Sequence, residues 1–164
     1  MANSRGLSIV AAAVTALTLL TPVLSAADLP IHGMWKLDER ASKNVPDSQK
    51  GIDIRITVKG NDVSIQKFYD GASVGEPFTM RCDGVPVTKE IVKGTTGQVK
   101  GLWKAAGKIL EQTITTKAAN LLTMTTTTLF TVSADGQVLT RYQTTAAAGD
   151  VTQERLLLYR RKGD

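Results

Sequence analysis

IDIRITVKGNDVSIQKF, residues 52–68, decides the fold. Ile52, Ile54, Ile56 and Val58 fall on one face, and Asp53, Arg55, Thr57 and Lys59 on the other. Period-two alternation over a stretch this long marks a strand with one buried face. Gly60-Asn61-Asp62 comes next, and Gly and Asn accept the positive φ of a tight hairpin turn. Val63, Ile65 and Phe68 then begin a return strand that Asp70-Gly71 ends.

The same habit runs outward to the C-terminus. Phe78 to Cys82 is a short strand, and Asp83-Gly84 after it is a two-residue hairpin signal. Val85 to Val92 returns, bent by Pro86, and Gly94 and Gly97 mark the next turn. Gln98 to Lys104 carries Leu102 and Trp103, and Ile109 to Thr116 comes back with Leu110, Gln112 and Ile114 on one side. Asn120 turns the chain into Leu121 to Val132, LLTMTTTTLFTV, where β-branched Thr suits a pleated surface and its hydroxyls a wet or polar face. Asp135-Gly136 leads to a strand over Gln137 to Thr145, and Gly149-Asp150 to another over Val151 to Arg160. Eight to ten strands at this spacing, with no helical pattern between them, predict an all-β sandwich or an antiparallel up-and-down barrel. The tight sequential hairpins favour the barrel, whose closure would hide the strand edges.

The N-terminus reads differently. Arg5 precedes an apolar run from Leu7 to Leu20; Thr21 and Pro22 break it, and Ser25-Ala26-Ala27 offers small residues to a signal peptidase. Residues 1–27 are therefore expected to be a signal peptide, with residues 28–164 as a single exported domain, periplasmic or secreted. The run is short for a membrane span, which needs about 20 residues, so no stable span is expected after cleavage. No Cys near the cut offers a lipid anchor. The leader takes one of 20 basic and none of 15 acidic residues, leaving 19 against 15 and a net charge of +4. Apart from Arg160-Arg161-Lys162 the cations are scattered. That is a mildly basic surface, not a specific nucleic-acid footprint. Cys82 is the sole cysteine, so it is either buried and inert or a link between two chains.

GMWKLDERASKNVP, residues 33–46, opens the domain. A strand beginning Gly33-x-Trp35 ahead of a run of hairpins resembles the first strand of the lipocalins. The resemblance implies that Trp35 plugs the closed end of a barrel, with a basic residue of the last strand, Arg160 or Arg161, lying over it in a cation–π contact. Together with the Asp-Gly turn at 83–84 and TVSADGQVLT at 131–140, the stretch is similar to a family of small bacterial exported proteins of lipocalin/calycin type. Members read G-x-W-K-L-N, then Ser-Lys and a Pro-rich loop, then S-x-D-G-K-x-L-T. Asp38 and Gln137 stand here where Asn and Lys are common in that family.

Catalytic and metal chemistry find little to work with. His32 is the only histidine, and no HxxxH or CxxC spacing exists, so no metal site and no cofactor are expected. No G-x-S-x-G turn supports a nucleophile, and the Gly-rich stretches are turns, not phosphate cradles. Asp53, Asp83, Glu90, Glu111 and Glu154 are not paired by their spacing. The chain is not expected to be an enzyme.

Binding is the expected function. A barrel of this size has room for side chains plus one small ligand. The candidate lining is Trp103, Met124, Thr126, Thr128, Phe130 and Tyr142, an apolar pocket with sparse hydroxyls. With aromatics at 5% of the chain, few large rings are available to plug the lumen. The expected partner is a small hydrophobic or amphipathic molecule, lipids included, held by a monomer in the cell envelope. The alternative is an envelope protein-binding module, an inhibitor or assembly factor with a filled barrel. Glu39 to Gly51, polar and holding Pro46, is either a lid over an open barrel end or a plain exposed loop.

Overall fold

A computed structural model describes residues 30–105, 107–117, 122–147 and 150–163. The leader expected over residues 1–27, the Asn120 turn and Gly149 lie outside them. Ten strands follow in order: β1 (Gly33–Leu37), β2 (Ile52–Lys59), β3 (Asp62–Tyr69), β4 (Ala72–Arg81), β5 (Val87–Val92), β6 (Thr95–Lys104), β7 (Ile109–Lys117), β8 (Thr123–Val132), β9 (Val138–Ala147) and β10 (Asp150–Arg161). Helical structure among the described residues is one 3-10 turn, Asp47–Gln49.

All ten strands form one sheet in the order β4-β3-β2-β1-β10-β9-β8-β7-β6-β5. Each is antiparallel to its neighbours, so this is an up-and-down meander whose first and last strands pair. The alternation in 52–68 produces the β2–β3 hairpin, with Ile56 opposite Ile65 and Val58 opposite Val63.

The barrel is not closed, against expectation. β4 and β5 are the two edges of the sheet, with no ladder between them. Asp83-Gly84 does turn the chain, with Gly84 at φ +80°, but it builds no hairpin. Asp83 bridges to Leu102, and the Gly84 amide donates to the Gly101 carbonyl at 2.9 Å. The turn is thus tied to β6, and β5 starts too far along to meet β4. The approach needs a strand without a side chain: a Cβ on Gly101 would lie 2.7 Å from the Arg81 carbonyl and 2.8 Å from Cys82 Sγ. Gly97, expected in a turn, is also inside β6, where a Cβ would sit 2.8 Å from the Thr115 carbonyl.

Strand parity defines the lumen. Trp35, Ile54, Ile56, Val58, Val63, Met80, Val99, Leu110, Phe130, Leu139, Leu157 and Tyr159 form its apolar core. Trp35 is completely buried; its indole Nε1 donates to the Ile31 carbonyl at 2.9 Å. The Arg161 guanidinium lies 4.3 Å from its ring centroid. Arg160, the other candidate for that place, is on the opposite face and pairs with Asp38 at 3.0 Å. Alternation along β10 lets only one of two successive residues face inward. Trp35 pairs directly with Arg161.

Residues 38–51 form a strap. After Leu37 the chain leaves β2 but stays on the edge of β10: the Asp38 amide donates to the Leu158 carbonyl at 2.8 Å, and Lys43 bridges to Leu156. The Asn44 amide donates to the Glu154 carbonyl, and the Gly51 N–H to Glu39 Oε1 at 2.7 Å. The strap so runs along β10 beyond the end of β1.

Candidate functional site: the open half of the lumen

The lumen is filled at the Trp35 end and wet at the other. Met124 pairs with Ala147 and Thr116, on the same face as Thr126, paired with the buried Thr145, and the buried Thr128. It faces inward and is 37% exposed. Tyr69 and Val74 share the inward face of Ile54 and Ile65, yet are 58% and 43% exposed. Inward-facing side chains left in water mean that this half of the barrel is a cup.

The wall of the cup is cationic. Along β9, Leu139, Arg141, Gln143 and Thr145 share the inward face, because Leu139 and Thr145 are buried and alternate residues point together. Gln143 is paired with Arg155 and Arg141 with Leu157, so the two arginines are diagonal neighbours on adjacent strands. Arg141 Nη2 donates to Gln143 Oε1 at 3.1 Å, and Arg155 Nη2 to Gln153 Oε1 at 2.6 Å. The Arg141 guanidinium also lies 5.8 Å from the Phe130 centroid. The Nε of each arginine is buried with no hydrogen-bond partner.

Other groups face the same space. Lys67 comes from β3, and burial, aided by the charge of Arg141, pushes its ammonium pKa down. Burial raises the Tyr159 phenol, while Arg141, within hydrogen-bonding reach, offsets part of the rise. Among the described residues, none of Lys67, Arg141 and Arg155 forms an ion pair. The two arginines are half-buried, and partly desolvated cations without counter-charges are costly. Thr126 and Thr145 share a hydroxyl hydrogen bond at 3.2 Å, and Gln112 Nε2 lies 3.4 Å from Met80 Sδ. The arrangement can hold an anionic group at the arginines and apolar surface against Tyr69, Val74 and Met124.

No family model matches the sequence, and a search of the curated proteins finds no match. The fold itself has solved counterparts. An apo lipid binding protein 8 of Caenorhabditis elegans is 9% identical at TM-score 0.58, over 81% of this chain and 96% of that one. A secretory abundant heat soluble protein of Ramazzottius varieornatus is 13% identical at TM-score 0.60, over 84% and 99%. A brain fatty acid-binding protein of Drosophila melanogaster is 15% identical at TM-score 0.54, over 78% and 96%. The chain shares the fold of these proteins. The likeness to small bacterial exported proteins rests on the short motifs alone.

Of the residues expected to line a pocket, Thr126, Thr128, Phe130 and Met124 share the inward face of β8. Phe130 and Thr128 are buried in the filled half, while Met124 stands in the open half. Trp103 packs against the core opposite Leu110. Tyr142 does not join them. It pairs with Leu129 and Leu156 on the outer face, where burial and Glu154 raise its phenol pKa. Lys67, Arg141 and Arg155 went unread. The signal was strand parity: Arg141 stands two residues from the apolar Leu139.

The β4–β5 gap forms a separate cleft of about 450 Å³ lined by Met80, Val87, Lys89 and Val99. Lys89 Nζ reaches across it to the Thr79 carbonyl at 2.6 Å and lies 4.7 Å from the Phe78 centroid. Among the described residues no cluster of His, Cys, Asp and Glu could hold a metal ion.

Proposed function

We propose that this chain binds a small amphipathic anion, with its charged group at Arg141 and Arg155 and its apolar part in the open lumen. One observation carries the reading: two guanidinium groups on the inward wall, each with a buried Nε lacking a partner and neither in an ion pair among the described residues. A carboxylate or similar anion supplies the missing acceptor and charge, and such bonds are about twice as strong as neutral ones. That two structural neighbours are called lipid- and fatty acid-binding proteins supports the choice of ligand class by fold analogy. Calorimetric titration with dodecanoate and with dodecanol tests the reading. Dodecanoate should bind the more tightly, by an amount that shrinks as salt rises; equal affinity for the two would contradict it.

The binding protein is proposed to act outside the cytoplasm. The three-part leader, Met1 to Ala27, supports export. Protein recovered from its host should begin at or near Asp28; a sequence starting at Met1 would refute export.

A second reading has its own support. The unpaired edges of β4 and β5 and the exposed Val85 and Val87 beside them favour addition of a partner's strand. A partner that protects β5 amides from exchange would support it; protection confined to the lumen would not.

A further inference from the structure

We propose that Gln49 is a built-in occupant of the anion site, and that the strap competes with the ligand for Arg141. This rests on the lumen reading and adds a regulatory residue to it. Gln49 closes the single 3-10 turn of the strap, and its side-chain Oε1 lies 3.4 Å from Arg141 Nη1. The strap is tied to β10 up to Asn44 by backbone and side-chain bonds. From Val45 to Lys50 the hydrogen bonds and ion pair are internal to the turn: Gln49 N–H to the Pro46 carbonyl, Lys50 N–H to the Asp47 carbonyl, and Lys50 to Asp47 at 2.7 Å. Gln49 is thus the polar link from this tip to the lumen wall.

The chemistry of that link makes it displaceable. An amide oxygen is a neutral acceptor, and 3.4 Å is beyond the usual 2.7–3.2 Å range for such a bond. An anionic oxygen would make a shorter, charge-assisted bond to the same guanidinium. Gln49 partly compensates Arg141 while the cup is empty and yields when an anion arrives. The tip is otherwise held by Val45, which packs against the core, and it loosens as Gln49 leaves.

The test compares Gln49→Ala, Gln49→Glu and Arg141→Gln in the full chain, titrated with decanesulfonate, which stays ionised throughout. Gln49→Ala should bind several-fold more tightly, because the competitor is gone. Gln49→Glu should bind roughly tenfold or more weakly at neutral pH, since a tethered carboxylate competes at an effective concentration of order millimolar. That loss should fade as the pH falls through the carboxyl range, around or below about 4; a merely structural role would show no such recovery. If both Gln49 variants match the parent while Arg141→Gln weakens binding, this inference is overturned and the lumen reading stands. If Arg141→Gln has no effect, the lumen reading falls and takes this inference with it.

Discussion

Trp35 joins three interactions in one side chain: complete burial, a hydrogen bond to the Ile31 carbonyl and a guanidinium stacked on its ring. Trp35→Ala should therefore cost about 3–5 kcal/mol in urea unfolding, in line with other large core truncations; a loss under about 1 kcal/mol would mean that it is not the base plug. Lys67 behaves oppositely. Its folded pKa is depressed, first by burial and then by Arg141. Between its folded and unfolded pKa values the unfolded chain binds more protons, so stability rises with pH through that window. Lys67→Met should flatten that rise and stabilise the protein slightly at neutral pH. It should also weaken dodecanoate roughly three- to tenfold, about 1 kcal/mol. Cys82 is buried, and burial pushes its thiol up to about 12. It should resist a disulfide reagent at pH 8 until the protein unfolds; fast reaction in the native state would contradict its placement. Trp35 was legible because a large apolar residue on a strand has one place to go. Arg141 was not, because along Val138–Ala147 the charge lies on the buried face, and sorting by polarity turns the strand inside out.

At the scale of elements, the meander was legible and its interruption was not. Alternation and turn residues place β2, β3 and β6 to β10 to within a few residues. The first half of β4, Ala72 to Pro77, was missed because Gly75 and Pro77 count against a strand. An edge tolerates them: the register slips between Ile65 and Lys67, and Pro needs no ladder partner on its open side. The Asp-Gly turn at 83–84 has the chemistry of a hairpin, but turn chemistry is local and pairing is not. What redirects β5 is the contact of Arg81 and Cys82 with Gly101, which spans twenty residues. Gly101→Ala should thus destabilise by about 1–3 kcal/mol, as overpacking does, whereas Gly71→Ala, with nothing within 4 Å of its Cβ, meets only the strain of φ +80°. Hydrogen exchange gives a second check. Amides on the open edges of β4 and β5 should exchange well before those of β8 and β9, which are paired on both sides. Equal protection across the gap would mean that the barrel closes in solution.

For the whole molecule, fold and function were legible to different depths. Ten sequential antiparallel strands with one buried face specify an up-and-down meander, and structures only 9–15% identical share its fold. The architecture fixes a container but not its contents. The contents depend on which residues of ten strands converge across the lumen, and convergence of β3, β9 and β10 on one space appears only in three dimensions. The expected apolar, Thr-studded pocket became a cup with an apolar floor and cationic walls. Its open half keeps Tyr69, Val74 and Met124 in water, an arrangement suited to an amphipath whose tail covers them. The most direct measurement follows the arginines themselves. In a nitrogen-15 NMR titration, the Nε–Hε signals of Arg141 and Arg155 should shift and saturate with dodecanoate and stay put with dodecanol. Signals unmoved at both arginines while dodecanoate binds elsewhere would contradict the anion site.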